Sequence, residues 1–223
     1  MQKLNIELHC HTAASSDSLV KVKDLIRTAR DRGIDRLAIT DHNTIKGAVM
    51  AKSIDPELII IGEEILTTKG ELLAFFVKEE IPRGLSPEEA IQRLKEQKAF
   101  ISVSHPFDRL RHGWETKDLE EITPHIDAIE VFNARSFSPE VNLAAKDYAK
   151  QHNLLGTVGS DAHTLHEVGM ATQIVSFFDD AESLRTSLSH TTPIEKYSSP
   201  IVRLASTYAK LLKLIFGKDR FSI

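Results

Sequence analysis

The chain has 223 residues, enough for one substantial hydrophobic core, and single α/β barrels often have this length. Hydrophobic residues make up 41% and charged residues 27% of the sequence, a composition that excludes a disordered or fibrous protein. The formal net charge of −4 argues against a broad basic surface that would bind duplex nucleic acid through its phosphates. Small or single-stranded substrates remain compatible with this charge.

The N-terminal sequence and the cysteine content bear on where the protein resides. Cys10 is the single cysteine and cannot form an internal disulfide, and residues 1–5 lack the basic and apolar regions of a secretory signal. No apolar run approaches the roughly 20 residues that span a bilayer. We therefore expect a cytoplasmic protein without a transmembrane segment.

The first half of the chain alternates short apolar runs with stretches of helical period. Helices are predicted at residues 21–32, where Gly33 gives the stop signal, and at residues 44–53. A turn at Lys69 and Gly70 is expected to pair the fourth strand antiparallel with the third. The strands predicted in this half are residues 4–9, 36–40, 58–65 and 72–77.

The second half continues the same alternation. Ser86 is a helix N-cap and Pro87 occupies the first helical position, so a helix is predicted to run to about residue 98. Three further helices are predicted at residues 118–122, 139–152 and 180–189. The remaining strands are predicted at residues 99–104, 128–132, 155–159 and 171–177.

Consecutive strand-helix units predict an α/β fold with a largely parallel sheet. Roughly seven such units favour a closed or nearly closed barrel over an open sheet. We expect one domain over residues 1–223, with the barrel in about residues 1–190 and a C-terminal helix in about residues 200–217. The apolar residues of that helix recur at helical spacing, which predicts packing against the barrel. Docking on an acidic membrane surface is the alternative.

Histidine and acidic residues follow the predicted strands at their carboxyl ends. In parallel α/β barrels the active site is built at that rim, because the strand ends converge there. A buried cluster of acids requires a compensating cation, and a divalent metal ion is the natural one. The strand-end residues are His9, His11, Asp41, His42, Glu63, Glu64, His105, Glu130, Asp161 and His163.

Two short alternations strengthen the prediction of a metal site. His9 and His11 lie on the same side of an extended strand, whereas Cys10 points to the opposite side. Asp161 and His163 repeat this spacing on a distant strand. Nitrogen and carboxylate ligands without a thiolate suit Zn²⁺, Mn²⁺ or Fe²⁺.

Six short motifs, in this order along the chain, resemble those of the PHP (polymerase and histidinol phosphatase) domain family. Each motif is weak by itself, and together they are specific. They are His9-Cys10-His11, Ser15-Ser16-Asp17, Ile39-Thr40-Asp41-His42-Asn43, Gly62-Glu63-Glu64, Ser104-His105-Pro106 and Gly159-Ser160-Asp161-Ala162-His163.

The resemblance implies a distorted seven-stranded (β/α)7 TIM-like barrel with a trinuclear metal centre. Glu64 is the expected bridging ligand rather than Glu63, because the family ligand stands two residues after the glycine. The resemblance assigns His9, His11, Glu64 and Asp161 to one ion, Glu64 and His105 to a second, and Asp17, His42 and His163 to a third.

One position departs from the family pattern. Some family members that cleave nucleotides have another histidine in the strand after the bridging glutamate, where this chain has Glu71-Leu72-Leu73-Ala74. The second ion could then be completed by water or by Glu130. The alternative role of Glu130 is a strand-end hydrogen bond.

The expected activity is hydrolysis of a phosphate ester of a nucleotide, a short oligonucleotide or a small metabolite by a metal-bridging hydroxide. Glu64, Asp161 and His105 would act as metal ligands that activate this water. Arg109, or after it Arg135, would hold phosphate oxygens, and a surface ion pair is the alternative for either arginine. The competing hypotheses are an amidohydrolase with a non-phosphate substrate and a non-catalytic, metal-stabilised binding module.

Overall fold

The computed structural model describes residues 2–217 and residue 221. The described residues form an α/β fold with nine β-strands and seven α-helices. The strands are β1 Lys3–Cys10, β2 Arg36–Ile39, β3 Ile59–Leu66, β4 Glu71–Phe75, β5 Phe100–Val103, β6 Ala128–Asn133, β7 Leu155–Gly159, β8 Ala171–Ser176 and β9 Thr192–Glu195. The helices are α1 Val22–Asp31, α2 Lys46–Ile54, α3 Pro87–Glu96, α4 Thr116–Ile122, α5 Pro139–His152, α6 Ala181–Leu188 and α7 Val202–Phe216.

Strands β1 to β7 follow one another in the sheet and curve into a nearly closed barrel. The spatial order is β7-β6-β5-β4-β3-β2-β1-β8-β9. Strand β4 pairs antiparallel with both β3 and β5, which confirms the predicted turn between β3 and β4. The barrel closes at the rim, where the His11 amide donates to the Ala162 carbonyl at 2.9 Å and the Ala162 amide donates to His9 at 3.2 Å.

The other end of the gap between β1 and β7 is filled by β8, which pairs antiparallel with β1. The Gln173 side chain of β8 accepts from the Val158 amide at 3.1 Å and donates to the Gly156 carbonyl at 3.0 Å. A side-chain amide thus supplies the hydrogen bonds that a neighbouring strand would otherwise give to β7.

The expectation of seven strands is wrong, since the described sheet has nine. Strands β8 and β9 extend it beyond β1, and β9 was absent from the predicted elements. Strand β9 has four largely exposed residues including Pro193, so it carries no apolar alternation that could identify it from sequence. Proline is tolerated there because β9 lies at the edge of the sheet.

Apolar side chains pack inside the barrel and between the sheet and the helices. Leu4, Ile6, Leu73 and Phe75 belong to the inner cluster. Helix α1 buries one face against the outside of the sheet, with Leu25 and Ala29 fully inaccessible. These two layers leave the polar strand ends as the floor of an open cavity at one rim.

Helix α7 packs one face on the segment that follows β1. The Lys213 ammonium is buried and donates to the carbonyls of Ala13 at 2.6 Å, Ser15 at 2.5 Å and Ser18 at 2.7 Å. The opposite face of the helix exposes Leu204 and Leu214. No helix among the described residues has the length and apolar content needed to cross a membrane.

Candidate metal centre

The predicted ligands converge at the rim of the barrel, although they come from distant parts of the sequence. Most of them are almost inaccessible to solvent, which is unusual for histidine and acidic side chains. The buried residues of this cluster are His9, His11, Asp17, Glu64, His105, Asp161 and His163. His42 is half-buried beside them.

Four side chains surround one point at the centre of the rim. The His9 Nε2 atom lies 3.5 Å from Glu64 Oε1 and 3.5 Å from Asp161 Oδ1. The His11 Nε2 atom lies 3.4 Å from Glu64 Oε2 and 3.3 Å from Asp161 Oδ1. Two ligand atoms bound to the same tetrahedral Zn²⁺ at about 2.1 Å would be about 3.4 Å apart, so these spacings fit one ion.

Hydrogen bonds on the far side of each imidazole orient its Nε2 atom toward this point. His9 Nδ1 lies 2.9 Å from Glu130 Oε1, and His11 Nδ1 lies 3.0 Å from Ser15 Oγ. Ser15 Oγ in turn donates to Asp41 Oδ1 at 2.7 Å. In the neutral form of each ring these contacts favour the proton on Nδ1, which would leave the Nε2 lone pair available to an ion at the cluster. Neither Nε2 atom has a hydrogen-bond partner within the described residues.

Glu130 lies behind the ligand cluster rather than in it. Besides contacting His9, its carboxylate accepts from the His105 amide at 2.9 Å and from Asn133 Nδ2 at 2.9 Å. His105 has a positive φ of 23°, a strained conformation for a residue with a side chain, and the bond to Glu130 helps to hold it. The structure therefore places Glu130 where it supports two other side chains of the site.

Gly159 allows this crowded arrangement. A Cβ atom at this position would lie 2.4 Å from His9 Cβ and 2.5 Å from Glu130 Oε1. Both separations are far below van der Waals contact, so the close approach of β7 to β1 requires glycine.

A second group of side chains meets on the other side of Glu64. His105 Nε2 lies 3.3 Å from Glu64 Oε1 and 3.5 Å from Glu71 Oε2. Glu71 was not among the predicted site residues, although its position was noted as the departure from the family pattern. That departure was the one sequence signal that could have identified it. Burial raises the pKa of Glu71 to about 7, and the nearby Glu64 carboxylate adds to this effect.

A third group is centred on Asp17. Its Oδ1 atom lies 3.2 Å from His163 Nε2, and its Oδ2 atom lies 3.4 Å from His42 Nε2. The Lys210 ammonium of helix α7 also lies 3.4 Å from Asp17 Oδ2. The resemblance to the PHP motifs predicted that Asp17 and the two histidines lie together, whereas the approach of Lys210 follows from the docking of α7.

The electrostatics of the cluster show why it suits cations. Burial alone would raise the pKa of Glu64 and of Asp161, but the neighbouring histidines, together with Arg111 beside Asp161, hold both values well below the usual range. Burial lowers the pKa of His11 to about 3, and the adjacent His163 and His42 contribute to the decrease. Burial opposes protonation of His9 and His42 as well, but the nearby Asp161, Glu64 and Asp17 carboxylates raise the pKa of both imidazoles well above the usual value. A divalent ion would replace these protons as the positive charge that the buried carboxylates require.

Glu63 and Cys10 point away from the rim, as alternation along their strands predicts. Glu63 Oε2 accepts from the Ile81 amide at 3.0 Å on the outer face of the sheet, and burial raises the pKa of Glu63 to about 8. Cys10 belongs to the apolar cluster that packs under helix α1. Of the two adjacent acids, only Glu64 therefore faces the other candidate ligands.

The two predicted phosphate-binding arginines lie in different environments. The structure does not bring Arg109 to the cavity, since its side chain is 70% exposed and pairs with the exposed Glu115 at 3.2 Å. Arg135 lines the cavity, where its Nε atom lies 3.0 Å from Glu167 Oε1 and Nη1 lies 2.8 Å from His163 Nδ1. Arg135 is thus held in place by its neighbours beside a candidate ligand.

Arg111 takes the position expected of Arg109. Its guanidinium contacts the Asp161 carboxylate, pairs with Asp108 at 2.9 Å and donates to Asn133 Oδ1 at 3.1 Å. Residues 109–111 form one turn of 3₁₀ helix, so side chains two residues apart point in different directions. The sequence showed several basic residues in this loop but did not show which one faces inward.

Helix α7 forms an outer wall of the cavity. Arg203, Ser206 and Lys210 line it, and Ser206 Oγ accepts from Arg135 Nη2 at 2.9 Å. Arg203 lies over the Phe137 ring, 3.5 Å from its centroid. The cavity therefore combines a floor of candidate metal ligands with a wall of cationic side chains.

Comparison with known proteins identifies the family to which these features correspond. The sequence matches the PHP domain family over residues 7–221. It is 37% identical over 172 residues to the uncharacterized protein MJ0417 of Methanocaldococcus jannaschii, covering 75% of this chain and 69% of that protein. It is 38% identical over 146 residues to MJ1587 of the same organism, covering 59% of this chain and 82% of that protein.

Solved structures share the fold at low sequence identity. A two-domain protein from Bacteroides vulgatus that contains a predicted PHP-like metal-dependent phosphoesterase has a TM-score of 0.72 at 18% identity, over 93% of this chain and 70% of that one. Endonuclease Q, in complex with a 27-mer duplex that carries an abasic lesion, has a TM-score of 0.64 at 15% identity, over 84% of this chain and 57% of that one.

Proposed function

Since this chain belongs to the PHP domain family, a family of metal-dependent phosphoesterases, we propose that it hydrolyses a phosphate ester at the rim cluster. The substrate would be a nucleotide, a short oligonucleotide or a small phosphorylated metabolite. The observation that carries this proposal is the set of buried imidazole and carboxylate atoms that face one another at ligand spacing without hydrogen-bond partners among the described residues.

The side chains fit two or three divalent ions of the Zn²⁺, Mn²⁺ or Fe²⁺ type. His9, His11, Glu64 and Asp161 would hold one ion, Glu64 would be shared with a second ion at His105, and Asp17, His42 and His163 would hold a third. Bound ions of this kind lower the pKa of a water molecule and neutralise the phosphate that it attacks. In this proposal Glu130 orients His9 rather than binding metal.

The cationic side chains around the floor would bind the substrate. Arg111 and Arg135 each have a guanidinium beside a candidate ligand, where it can hold phosphate oxygens in a fixed orientation. Lys210 lies farther out and is 61% exposed, so it would meet the substrate at the mouth of the cavity. Arg109 has no part in this proposal, because its side chain points to solvent.

The sequence analysis argued against duplex nucleic acid as a substrate from the net charge alone, and net charge is not sufficient to exclude it. Local cationic groups such as Arg111, Arg135 and Lys210 line the cavity of a chain whose net charge is −4. A protein of the same fold, endonuclease Q, is known in complex with a duplex. The test of function therefore includes duplex substrates.

The test is a substrate panel with purified protein and added Mn²⁺. Phosphomonoesters, nucleotides, single-stranded oligonucleotides, abasic duplexes and amide substrates are assayed in parallel, with a chelator-treated sample as the control. We expect phosphate-ester turnover that requires metal, and elemental analysis showing at least two ions per chain. Amide turnover without phosphate release would support an amidohydrolase. Metal uptake without any turnover would support a binding module.

A further inference from the structure

Glu71 is the first residue of β4 and faces the interior of the barrel. It shares that face with Leu73, which belongs to the inner apolar cluster, because side chains two residues apart on a strand point the same way. Leu73 lies opposite Glu64 in the antiparallel pair of β3 and β4. The register of the sheet therefore aims the carboxylate of Glu71 at the same side of the rim as Glu64.

The contacts of Glu71 are with imidazoles and not with a permanent cation. Its Oε2 atom lies 3.5 Å from His105 Nε2, and its Oε1 atom lies 3.9 Å from His42 Nδ1. The side chain is 7% exposed, and no lysine or arginine within residues 2–217 pairs with it. Two buried carboxylates thus converge on one imidazole, and burial of such charges requires a compensating cation.

We propose that Glu71 is a ligand of the second metal ion, so that this ion is held by Glu64, His105 and Glu71. This inference rests on the proposed function only in placing metal ions at the rim. With Glu71, the second ion has three protein ligands and does not require water or Glu130 as its third ligand. The Glu130 carboxylate is already bound by His9, His105 and Asn133. The spacings from His105 Nε2 to the two carboxylates, 3.3 Å and 3.5 Å, match those around the first ion site.

The chemical consequence concerns which metal the site prefers. A ligand set of two carboxylates and one imidazole is harder and carries one more negative charge than a set of one carboxylate and two imidazoles. Carboxylate oxygens favour Mn²⁺ relative to Zn²⁺, whereas imidazole favours Zn²⁺. We therefore infer that Glu71 biases the second site toward Mn²⁺.

The test uses equilibrium dialysis and elemental analysis, with no substrate present. Glu71→Gln and Glu71→His are compared with the parent protein and with Glu63→Gln, a neighbouring buried glutamate that faces the outside of the sheet. We expect Glu71→Gln to bind one Mn²⁺ with at least about tenfold lower affinity, while the tighter ion is retained. Glu71→His should restore occupancy and raise the Zn²⁺ to Mn²⁺ ratio in a competition experiment.

The outcomes separate this inference from the proposed activity. Parent-like metal content and affinity in a folded Glu71→Gln protein, or an unchanged metal ratio in Glu71→His, would overturn the assignment. If the parent protein hydrolyses phosphate esters but its metal content does not depend on Glu71, the activity stands and the ligand assignment fails. If its metal content depends on Glu71 but no phosphate ester is cleaved, the ligand assignment stands and the proposed activity fails.

Discussion

The floor and the wall of the cavity are built in opposite ways. The floor consists of buried strand-end side chains such as His9, His11 and Glu64, and among the described residues the Nε2 atoms of His9 and His11 have no hydrogen-bond partner. The wall consists of cations such as Arg111 and Lys210, which are partly exposed and already paired with acidic side chains. Buried lone pairs of this kind suit the metal ions of the proposed function, whereas partly exposed cations near them suit its anionic substrate.

The two regions also differ in how they are held. The floor is fixed by the sheet, where a shift of one strand by one residue would turn the ligands of that strand away from the rim. The wall depends on contacts far apart in sequence, such as the three carbonyls bound by Lys213 of α7. Substitutions in the floor should therefore weaken metal binding, and substitutions in the wall should weaken substrate binding.

The largest effect is expected for Glu64→Gln, compared with Glu63→Gln. Loss of a hydrogen-bonding partner behind a metal ligand typically lowers activity or metal affinity about 10- to 100-fold, so loss of a carboxylate shared by two ions should exceed 100-fold. Glu63 faces the other side of the sheet and should change turnover little. Relative turnover at saturating metal, with metal analysis of both proteins, provides the measurement, and equal losses would show that the bridge is misassigned.

Arg111→Met should come next, with Arg109→Met as its matched control. Hydrogen bonds to charged groups contribute about 1.5 to 3 kcal/mol, so loss of a guanidinium beside the floor should lower kcat/KM roughly 10- to 100-fold. Arg109 is exposed and should behave like the parent protein. Steady-state kinetics and metal content on the same preparations separate substrate binding from loss of the ions. A larger loss for Arg109→Met would reverse the assignment.

A smaller effect, on stability, is expected for Lys213→Met. Three buried carbonyls lose their charged donor, so the free energy of unfolding should fall by about 2 kcal/mol. Urea denaturation measures the change, and Leu214→Ala on the exposed face of the same helix is the control. Similar values for both variants would mean that α7 is not anchored through Lys213.

The smallest effect is expected for Lys210→Met. Exposed ion pairs contribute at most about 1 kcal/mol, so KM for a phosphate ester should rise about three- to fivefold with little change in kcat. Lys150→Met, an exposed lysine on helix α5, controls for the loss of one positive charge. A fall in kcat without a rise in KM would indicate that Lys210 acts on the ion site through Asp17 instead.

Local sequence was sufficient for much of the fold and for the candidate ligands. Short apolar runs predicted eight of the nine strands, and the turn at Lys69 and Gly70 predicted the antiparallel pair of β3 and β4. The exposed edge strand β9 was missed because four residues with a proline have no apolar period. The sequence wrongly favoured Arg109 as a cavity residue and missed Glu71 as a site residue. Both errors concern the direction of a side chain, which sequence does not reveal in a loop or at the start of a strand.

The sequence by itself determined that histidines and acids end successive strands, because strand periodicity and the parallel fold bring those ends to one rim. The resemblance to the PHP motifs selected Glu64 over Glu63 as the inward-facing acid, and alternation along the strand then turned Glu63 to the opposite side. Only the tertiary structure decided that Arg111 faces the floor, that Glu71 meets His105, and that α7 brings Lys210 to Asp17. These contacts depend on loop geometry, strand register and helix docking, which are set by packing between distant segments rather than by local pattern.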